Sequence, residues 1–231
     1  MTRGKIEDLL SLLQRSSPSE NVFNPWRDVD RENDLGPRTP WIRTRQLRHY
    51  LETRLKTARY LLIGEAIGYQ GGHFSGIAMT SERILLGYLE GVGICPHDVL
   101  PGLGPQRTSR PEIMPKGFAE PTATIVWGTL LRAGLKPGDF VLWNAFPWHP
   151  FDAKKGMLSN RRPNGIELGY GSPPLERLLR LLPGRIIIAI GKIAAGAIAK
   201  KGMDAYTVRH PANAGARKFR EQIGEIVKKT L

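Results

Sequence analysis

The fold of this 231-residue chain is decided at residues 60–83, which read YLLIGEAIGYQGGHFSGIAMTSER. The opening run, Tyr60–Ala66, is too short and too continuously apolar for a helix and is typical of a strand covered on both faces. A glycine-rich loop follows, and such loops usually bind phosphate through backbone N–H groups. Glu65 would repel a phosphate, and the stretch contains neither G-x-x-x-x-G-K-[ST] nor G-x-G-x-x-G. The loop is therefore predicted to hold a group other than phosphate.

Three more apolar runs of this kind follow, separated by segments with helical spacing. The four predicted strands are Tyr60–Ala66, Phe140–Phe146, Arg185–Ile190 and Ala205–His210. The predicted helices are Ser81–Glu90, Pro121–Ala133, Pro173–Leu182, Ile193–Lys201 and Asn213–Thr230. Strands that alternate with helices predict an α/β fold, here a three-layer α/β/α sandwich with a central four-stranded parallel sheet.

The residues ahead of the first strand have a different character. Residues 1–15 predict a helix with one leucine-rich face, residues 16–41 are rich in turn-forming residues, and residues 44–57 predict a second helix. We expect residues 1–58 to form a helical and irregular extension packed on the core. Residues 59–231 would form the α/β domain, and the two parts together one structural unit.

The composition limits the possible partners. The chain has 34 Lys and Arg against 21 Asp and Glu, a net charge of +13 and a pI near 10.2. This excess favours a polyanionic partner, most often nucleic acid, although a basic surface without a partner would give the same count. Cys95 is the only cysteine, which excludes a disulfide framework, a cysteine-rich zinc site and a cysteine-held iron–sulfur cluster.

Hydropathy and the amino terminus concern the compartment. No apolar run approaches the ~20 residues that cross a bilayer, and the first residues lack a secretory pattern. We therefore expect a cytoplasmic, nucleoid-associated protein that makes no membrane contact. We also expect a monomer without a cofactor or a metal.

The ends of the predicted strands carry the unusual side chains. In an open parallel sheet, ligands bind outside the carboxyl ends of the strands. Those ends are Gly64–Gly68, Asn144–Pro150, Gly191–Lys192 and Arg209–Asn213. Taken singly, Glu65 could cap a helix or pair with an arginine, Asn144 could form an Asx turn, and His210 could be a structural histidine. Trp148 and His149 are expected to be packing residues. A carboxylate, an amide and an imidazole on one edge nevertheless favour a functional site.

Three segments of this edge resemble the motifs of the uracil-DNA glycosylase superfamily: GEAIG at 64–68, NAFPWHP at 144–150 and RHPAN at 209–213. Their order and spacing agree with that family, and the resemblance spans roughly residues 60–220. The first segment is most similar to the GEAPG-type branch, and the last to the HP[SA] motif. The resemblance implies a four-stranded parallel sheet whose carboxyl ends form a pocket for a base extruded from DNA.

The resemblance also implies roles in hydrolysing the N-glycosidic bond of uracil or a related deaminated base. His210 would hydrogen-bond the departing uracil, and Glu65 would stabilise the oxocarbenium-like sugar or orient the attacking water. Asn144 would read the uracil edge with both ends of its amide. The other implied base-binding residues are Gly64, Ala66, Phe74 and Met79. The predicted DNA-binding residues are Lys154, Lys155, Arg161, Arg162, Asn213, Ala214 and Arg217.

The chain departs from the family pattern at several points. Ile67 replaces the proline of the first motif, and Met79 stands where the family has a base-stacking aromatic residue. Small residues, 213–215, follow the HP[SA]-like motif, where a bulky wedge is common. The four-cysteine iron–sulfur cluster of the GEAPG-type branch cannot form with one cysteine. The small wedge favours single-stranded or mismatched DNA as the substrate, or else a wedge inserted from another loop.

Two other functions remain open at this stage. Met79 and Ala214 favour a non-catalytic nucleic-acid-binding protein that kept the fold and lost the chemistry, whereas Glu65, Asn144 and His210 together oppose it. A metal-dependent hydrolase would have to use His73, His149, His210 and Glu65. The spacing of these histidines matches neither H-x-x-x-H nor H-E-x-x-H, so the sequence gives the metal no geometric support.

Overall fold

The computed structural model describes residues 2–15 and 19–230. Its central sheet consists of four parallel strands: β2 (Tyr60–Ala66), β3 (Phe140–Phe146), β5 (Ile186–Ile190) and β6 (Tyr206–Val208). They lie in the order β3-β2-β5-β6. A small antiparallel pair joins β1 (Val22–Phe23) to β4 (His149–Pro150). The predicted α/β fold with a four-stranded parallel sheet is confirmed.

Helices flank the sheet. In the described part of the chain they are α1 (Thr2–Arg15), α2 (Thr39–Glu52), α3 (Gly72–Ser75), α4 (Glu82–Leu85), α5 (Pro96–Val99), α6 (Pro121–Arg132), α7 (Gly165–Leu181), α8 (Lys192–Ala199) and α9 (Ala216–Thr230). Short 3-10 helices cover Glu90–Val92 and Pro137–Asp139. Helix α7 packs on β3, α8 on the central strands and α9 on β6. None of the helices described combines the length and the apolar character that crossing a membrane requires.

The core follows from the apolar runs. Strand β3 is buried along its whole length, and Tyr60–Gly64 of β2 are buried as well. A strand that is covered on both faces needs apolar residues at consecutive positions, which is why these runs do not alternate. Leu9 and Leu13 of α1 belong to the same apolar core as the sheet. The boundary between an extension and a domain at residue 58 stays a prediction.

Among the helices after the first strand, α4 and α7 differ most from the prediction. Helix α4 ends at Leu85 rather than Glu90, because Gly87 adopts a left-handed backbone (φ +82°) that a continuous helix cannot include. Helix α7 begins at Gly165, so Pro173 lies in its interior and not in its first turn. The start is fixed by Asn164, whose side chain accepts a hydrogen bond from the Glu167 N–H at 2.9 Å, while Glu167 accepts one from the Asn164 N–H at 2.8 Å.

The extension is more ordered than expected. Strand β1 lies inside the segment predicted to be irregular, and it pairs Val22 with Pro150 and Phe23 with His149. Helix α2 begins at Thr39, five residues earlier than predicted, with Pro40 in its first turn, where a missing N–H is tolerated.

The register of the sheet brings the strand ends together. Gly64 pairs with Asn144 and Ala66 with Phe146, while Ile190 of β5 pairs with Val208 of β6. Because all four strands are parallel, the residues after these positions emerge at one edge. This edge is called the carboxyl edge below.

Candidate active site

Asn144, Gly64 and Met79 meet at the carboxyl edge. A Cβ added to Gly64 would lie 2.5 Å from the Asn144 amide and 3.2 Å from Met79 Sδ, so only glycine fits at this position. Asn144 is buried. In the orientation that satisfies its neighbours, its nitrogen donates to the Trp143 carbonyl at 3.1 Å and its oxygen accepts from the Ile67 N–H at 3.3 Å. One N–H and one lone pair of the amide are left for a ligand.

Met79 is held in an unusual conformation. Its φ of +47° lies in the left-handed region, which costs a non-glycine residue about 1–3 kcal/mol and is common at functional sites. A hydrogen-bonded turn maintains it: the Ser75 hydroxyl donates to the Thr80 carbonyl at 2.6 Å, and the Trp127 indole donates to the Thr80 hydroxyl at 3.1 Å. This turn, with its strained backbone at Met79, thus fixes the thioether beside Asn144.

Glu65 and His210 lie within electrostatic reach of one guanidinium. Burial raises the pKa of the half-buried Glu65 carboxyl, and the positive charge of Arg162 partly opposes this rise. Burial also lowers the pKa of His210, helped by Arg209 and Arg162. Since Arg162 acts on both groups, the ends of β2 and β6 share one electrostatic environment, as the predicted edge requires.

The hydrogen bonds of His210 fix its tautomer. The Ala212 N–H donates to His210 Nδ1 at 3.1 Å, so Nδ1 is the acceptor of a neutral ring and the proton sits on Nε2. The lowered pKa keeps the ring neutral at pH 7. His210 therefore presents an Nε2–H donor whose partner is not found among the described residues.

A strained turn follows His210. Asn213 and Ala214 both have left-handed backbones, with φ of +53° and +59°, and both are exposed. A Cβ on Gly215 would overlap the His210 carbonyl oxygen, so the turn closes tightly on the histidine. Two consecutive non-glycine residues in this region form an exposed projection beside the candidate site.

The predicted DNA-binding side chains divide into two groups. Lys154, Lys155, Arg162 and Arg217 are exposed. Arg161 differs, because its guanidinium makes a two-pronged ion pair with Glu167 (2.6 and 2.7 Å) and also donates to the Phe151 carbonyl at 3.0 Å. These donors hold the loop together, and a contact of Arg161 with DNA stays a prediction.

Phe74 and Ala66 take different positions from Met79. Phe74 has no exposed surface, and its ring stacks on Phe118 with centroids 4.2 Å apart. Met79, and not Phe74, lies next to Gly64 and Asn144, and a base-binding role for Phe74 stays a prediction. Ala66 is half-buried at the end of β2, where it pairs with Phe146.

Glu120 is a carboxylate beside the candidate site that the sequence pattern does not reveal. It lies next to the glycine loop, where a Cβ on Gly71 would overlap its carboxyl and one on Gly68 would lie 3.7 Å from Oε1. Its Oε2 atom is buried without a hydrogen-bond partner, and burial raises its pKa to about 7. The only sequence signal is the dipeptide Glu120-Pro121 at a helix start, which is typical of ordinary caps.

His73 and His149 contact each other and not His210. Their Nδ1 atoms are 2.9 Å apart, and both rings are fully buried. Among the described residues no group of three or more His, Cys, Asp or Glu side chains could hold a metal ion. The metal-dependent alternative therefore gains no support. His149 contacts His73 in addition to having the packing role predicted for it.

The comparisons with known proteins agree with this geometry. The model of the uracil DNA glycosylase superfamily matches residues 52–229, and the chain therefore belongs to that superfamily. Among solved structures, the crystal structure of wild-type SMUG2 from Pedobacter heparinus is similar with a TM-score of 0.63 and 12% sequence identity. The match covers 98% of this chain and 97% of the other, and at this identity it shows a shared fold. No curated protein sequence matches the chain.

Proposed function

We propose that this protein is a DNA glycosylase that hydrolyses the N-glycosidic bond of uracil or a related deaminated base after the base has left the DNA stack. The observation that carries the proposal is the neutral Nε2–H donor of His210 on the same edge as Glu65 and Asn144. In the reaction the bond between C1′ and the base nitrogen breaks, its electron pair leaves with the base, and a water oxygen bonds to C1′. Negative charge develops on the base and positive charge on the sugar.

His210 supports the departure of the base. A neutral imidazole that donates from Nε2 stabilises the carbonyl oxygen on which negative charge accumulates. Because the Ala212 N–H fixes the ring through Nδ1, the donor is already oriented before the transition state. Its lowered pKa prevents the ring from becoming a cation, so it acts as a fixed dipole at neutral pH.

Glu65 acts on the opposite charge. As a carboxylate it stabilises the oxocarbenium-like sugar or accepts a proton from the attacking water. Arg162 keeps the pKa of Glu65 from rising as far as burial alone would raise it, and so supports the ionised form at working pH.

Base recognition falls to Asn144 and Met79. The free lone pair and the free N–H of the Asn144 amide match the N3–H and O4 of uracil. Cytosine reverses this pattern and would leave buried groups unpaired. The Met79 thioether covers the base, since sulfur packs well against aromatic faces. The exposed turn at Asn213 and Ala214, with Lys154, Lys155 and Arg162, would contact the DNA strand.

The test is release of free uracil from a labelled oligonucleotide, in single-stranded and duplex form, beside hypoxanthine and xanthine substrates. His210→Ala should lower the rate about 100-fold, since one lost transition-state donor costs ~3 kcal/mol. His97→Ala is the matched control, because His97 is an exposed histidine on α5. No release of any base by the wild-type protein would refute the proposal.

A non-catalytic DNA-binding protein is the second candidate. The small residues at 213–215 and the thioether of Met79 favour it, because neither gives the wedge or the aromatic platform that the family pattern carries. Tight binding to uracil-containing DNA without any release of base would support this candidate.

A further inference from the structure

A buried chain of three contacts lies behind the candidate active site. Asp30 Oδ2 is 3.2 Å from His73 Nε2, His73 Nδ1 is 2.9 Å from His149 Nδ1, and His149 Nε2 is 2.7 Å from the Ser159 carbonyl oxygen. The three side chains are all buried, and the His73 ring also stacks on Phe23 with centroids 3.9 Å apart. The chain starts in the extension and ends in the loop that carries Arg162.

The contacts require more hydrogens than two neutral histidines supply. Both ends of the chain are oxygen acceptors, so each of the three contacts needs one hydrogen between its atoms. Two neutral imidazoles carry one N–H each, which makes two. With Asp30 ionised and both rings neutral, two lone pairs would face each other in one of the contacts. A third proton turns every contact into a hydrogen bond.

Of the charges nearby, that of Asp30 favours the third proton. Burial lowers the pKa of both rings, because an isolated buried imidazolium is costly; Arg43 adds to this for His73 and Arg161 for His149, and Asp30 opposes the lowering in both. Here the proton is added to a chain that carries the Asp30 charge, so the chain becomes neutral and cheaper to bury. The other charged groups that face the rings are arginines already paired with carboxylates: Arg43 with Asp34, and Arg161 with Glu167.

The partners locate the third proton. His149 must donate from Nε2 to the Ser159 carbonyl, so its Nδ1 carries no hydrogen and accepts from the His73 Nδ1–H. The remaining proton then lies between His73 Nε2 and Asp30, which also accepts from the Asn33 amide at 2.9 Å. His73 is thus the ring with hydrogens on both nitrogens, and His149 is a neutral ring.

The far end of the chain reaches the glycine loop. Ser159, held by His149, is followed by Asn160, whose side-chain oxygen accepts from the Tyr69 N–H at 3.0 Å. Arg162, the residue whose charge acts on Glu65 and His210, is three positions beyond Ser159. His73 itself lies in α3, directly after the same glycine loop. The contacts therefore clamp the 159–162 segment against this loop.

We propose that Asp30, His73 and His149 form a relay that holds one proton more than two neutral imidazoles, and that this relay positions Arg162 beside Glu65 and His210. The positioning role rests on the proposed glycosylase function, whereas the proton count does not. The three residues act through others and touch neither base nor sugar. The extension would then be a working part of the site.

The proton count is tested on the free protein by two-bond 1H–15N spectra of the histidine rings at neutral pH. We expect one of the five rings to carry hydrogens on both nitrogens well above the unperturbed histidine pKa of about 6.5. In Asp30→Asn the amide N–H supplies the third hydrogen, so that ring should become neutral. Five rings that each carry a hydrogen on only one nitrogen in the wild type would overturn the proposal, whatever the activity.

The positioning role is tested by kcat for base release. Asp30→Asn should stay within about twofold of the wild type, because all three contacts keep a hydrogen, while Asp30→Ala should lose about tenfold or more with a smaller change in KM. Asn33→Ala is the matched control, because it removes a hydrogen bond to Asp30 and leaves the relay intact.

A tenfold loss in Asp30→Asn, or equal losses in Asp30→Ala and Asn33→Ala, would overturn the role. Asp30→Asn decides the matter even if Asp30→Ala does not fold. A wild type that releases no base but shows the extra proton refutes the glycosylase alone.

Discussion

Glu120→Gln should change how the stability of this protein depends on pH. Burial raises the pKa of the Glu120 carboxyl from an ordinary 4.5 to about 7, and its Oε2 atom has no hydrogen-bond partner. The folded state therefore holds the Glu120 proton more tightly than the unfolded state does. A pKa raised in the folded state means that stability is fully present below the unfolded pKa and is lost as pH rises through the folded pKa.

The size of the effect follows from the shift. Each unit of pKa difference corresponds to about 1.4 kcal/mol, so the wild type should lose about 3 kcal/mol between pH ~4.5 and pH ~8 through Glu120 alone. Gln keeps the shape of the side chain and does not titrate. The free energy of unfolding of Glu120→Gln, relative to the wild type, should therefore rise by about 3 kcal/mol over that range.

The assay is urea unfolding of both proteins across this pH range, with Glu112→Gln as the control. Glu112 is an exposed carboxylate in the segment that leads to Glu120. The control should run parallel to the wild type at every pH. If Glu120→Gln also runs parallel, the carboxyl is not buried without a partner, and the description of Glu120 as an unpaired carboxyl beside the glycine loop fails with it.

Three further outcomes are expected for the proposed enzyme. Glu65→Gln should slow base release by about 100-fold or more and leave DNA binding nearly unchanged. Because the pKa of Glu65 is raised, wild-type activity should fall as the pH drops toward the pKa of Glu65, and Glu65→Gln should not show this fall at low pH. Equal losses in rate and in DNA binding would contradict the role. Lys154→Ala with Lys155→Ala should reduce the salt slope of DNA affinity by up to about 2, whereas Lys56→Ala, at the opposite edge of the sheet, should not. Gly64→Ala should abolish base release in a protein that still melts cooperatively, because its methyl group would overlap the Asn144 amide. Full activity in that variant would show that the pocket lies elsewhere.

The sheet could be predicted from the sequence because its strands are buried on both faces. Short runs of consecutive apolar residues, as in β2 and β3, are typical of strands covered on both faces, and the bounds of these two strands match the prediction. The sequence at the ends of β2, β3 and β6 also indicated Glu65, Asn144 and His210 as candidate site residues. Their roles stay predictions, and the structure adds that they share an edge and that Arg162 acts on two of them.

Other features depend on contacts that a local pattern does not contain. Pro173 suggested a helix start, but the reciprocal cap between Asn164 and Glu167 begins α7 eight residues earlier. His73 and His149 are separated by 76 residues, and Asp30 by a further 43 from His73, so no spacing rule links them. Glu120 cannot be recognised from the sequence, because a carboxylate before a helix is common. Only the missing hydrogen-bond partner of its Oε2 atom makes it unusual.

The contacts of the amino-terminal segment limit how far the chain can be shortened without losing the turn that carries Met79. Trp26 donates its indole N–H to the Gly76 carbonyl at 3.1 Å, and the Gln46 amide donates to the Ser75 carbonyl at 2.9 Å. Both carbonyls belong to the turn that sets Met79. A fragment trimmed to the region of family similarity, which begins at residue 52, would keep every motif and still lose the supports of that turn. The smallest unit that keeps this turn intact is therefore larger than the region that the family model matches.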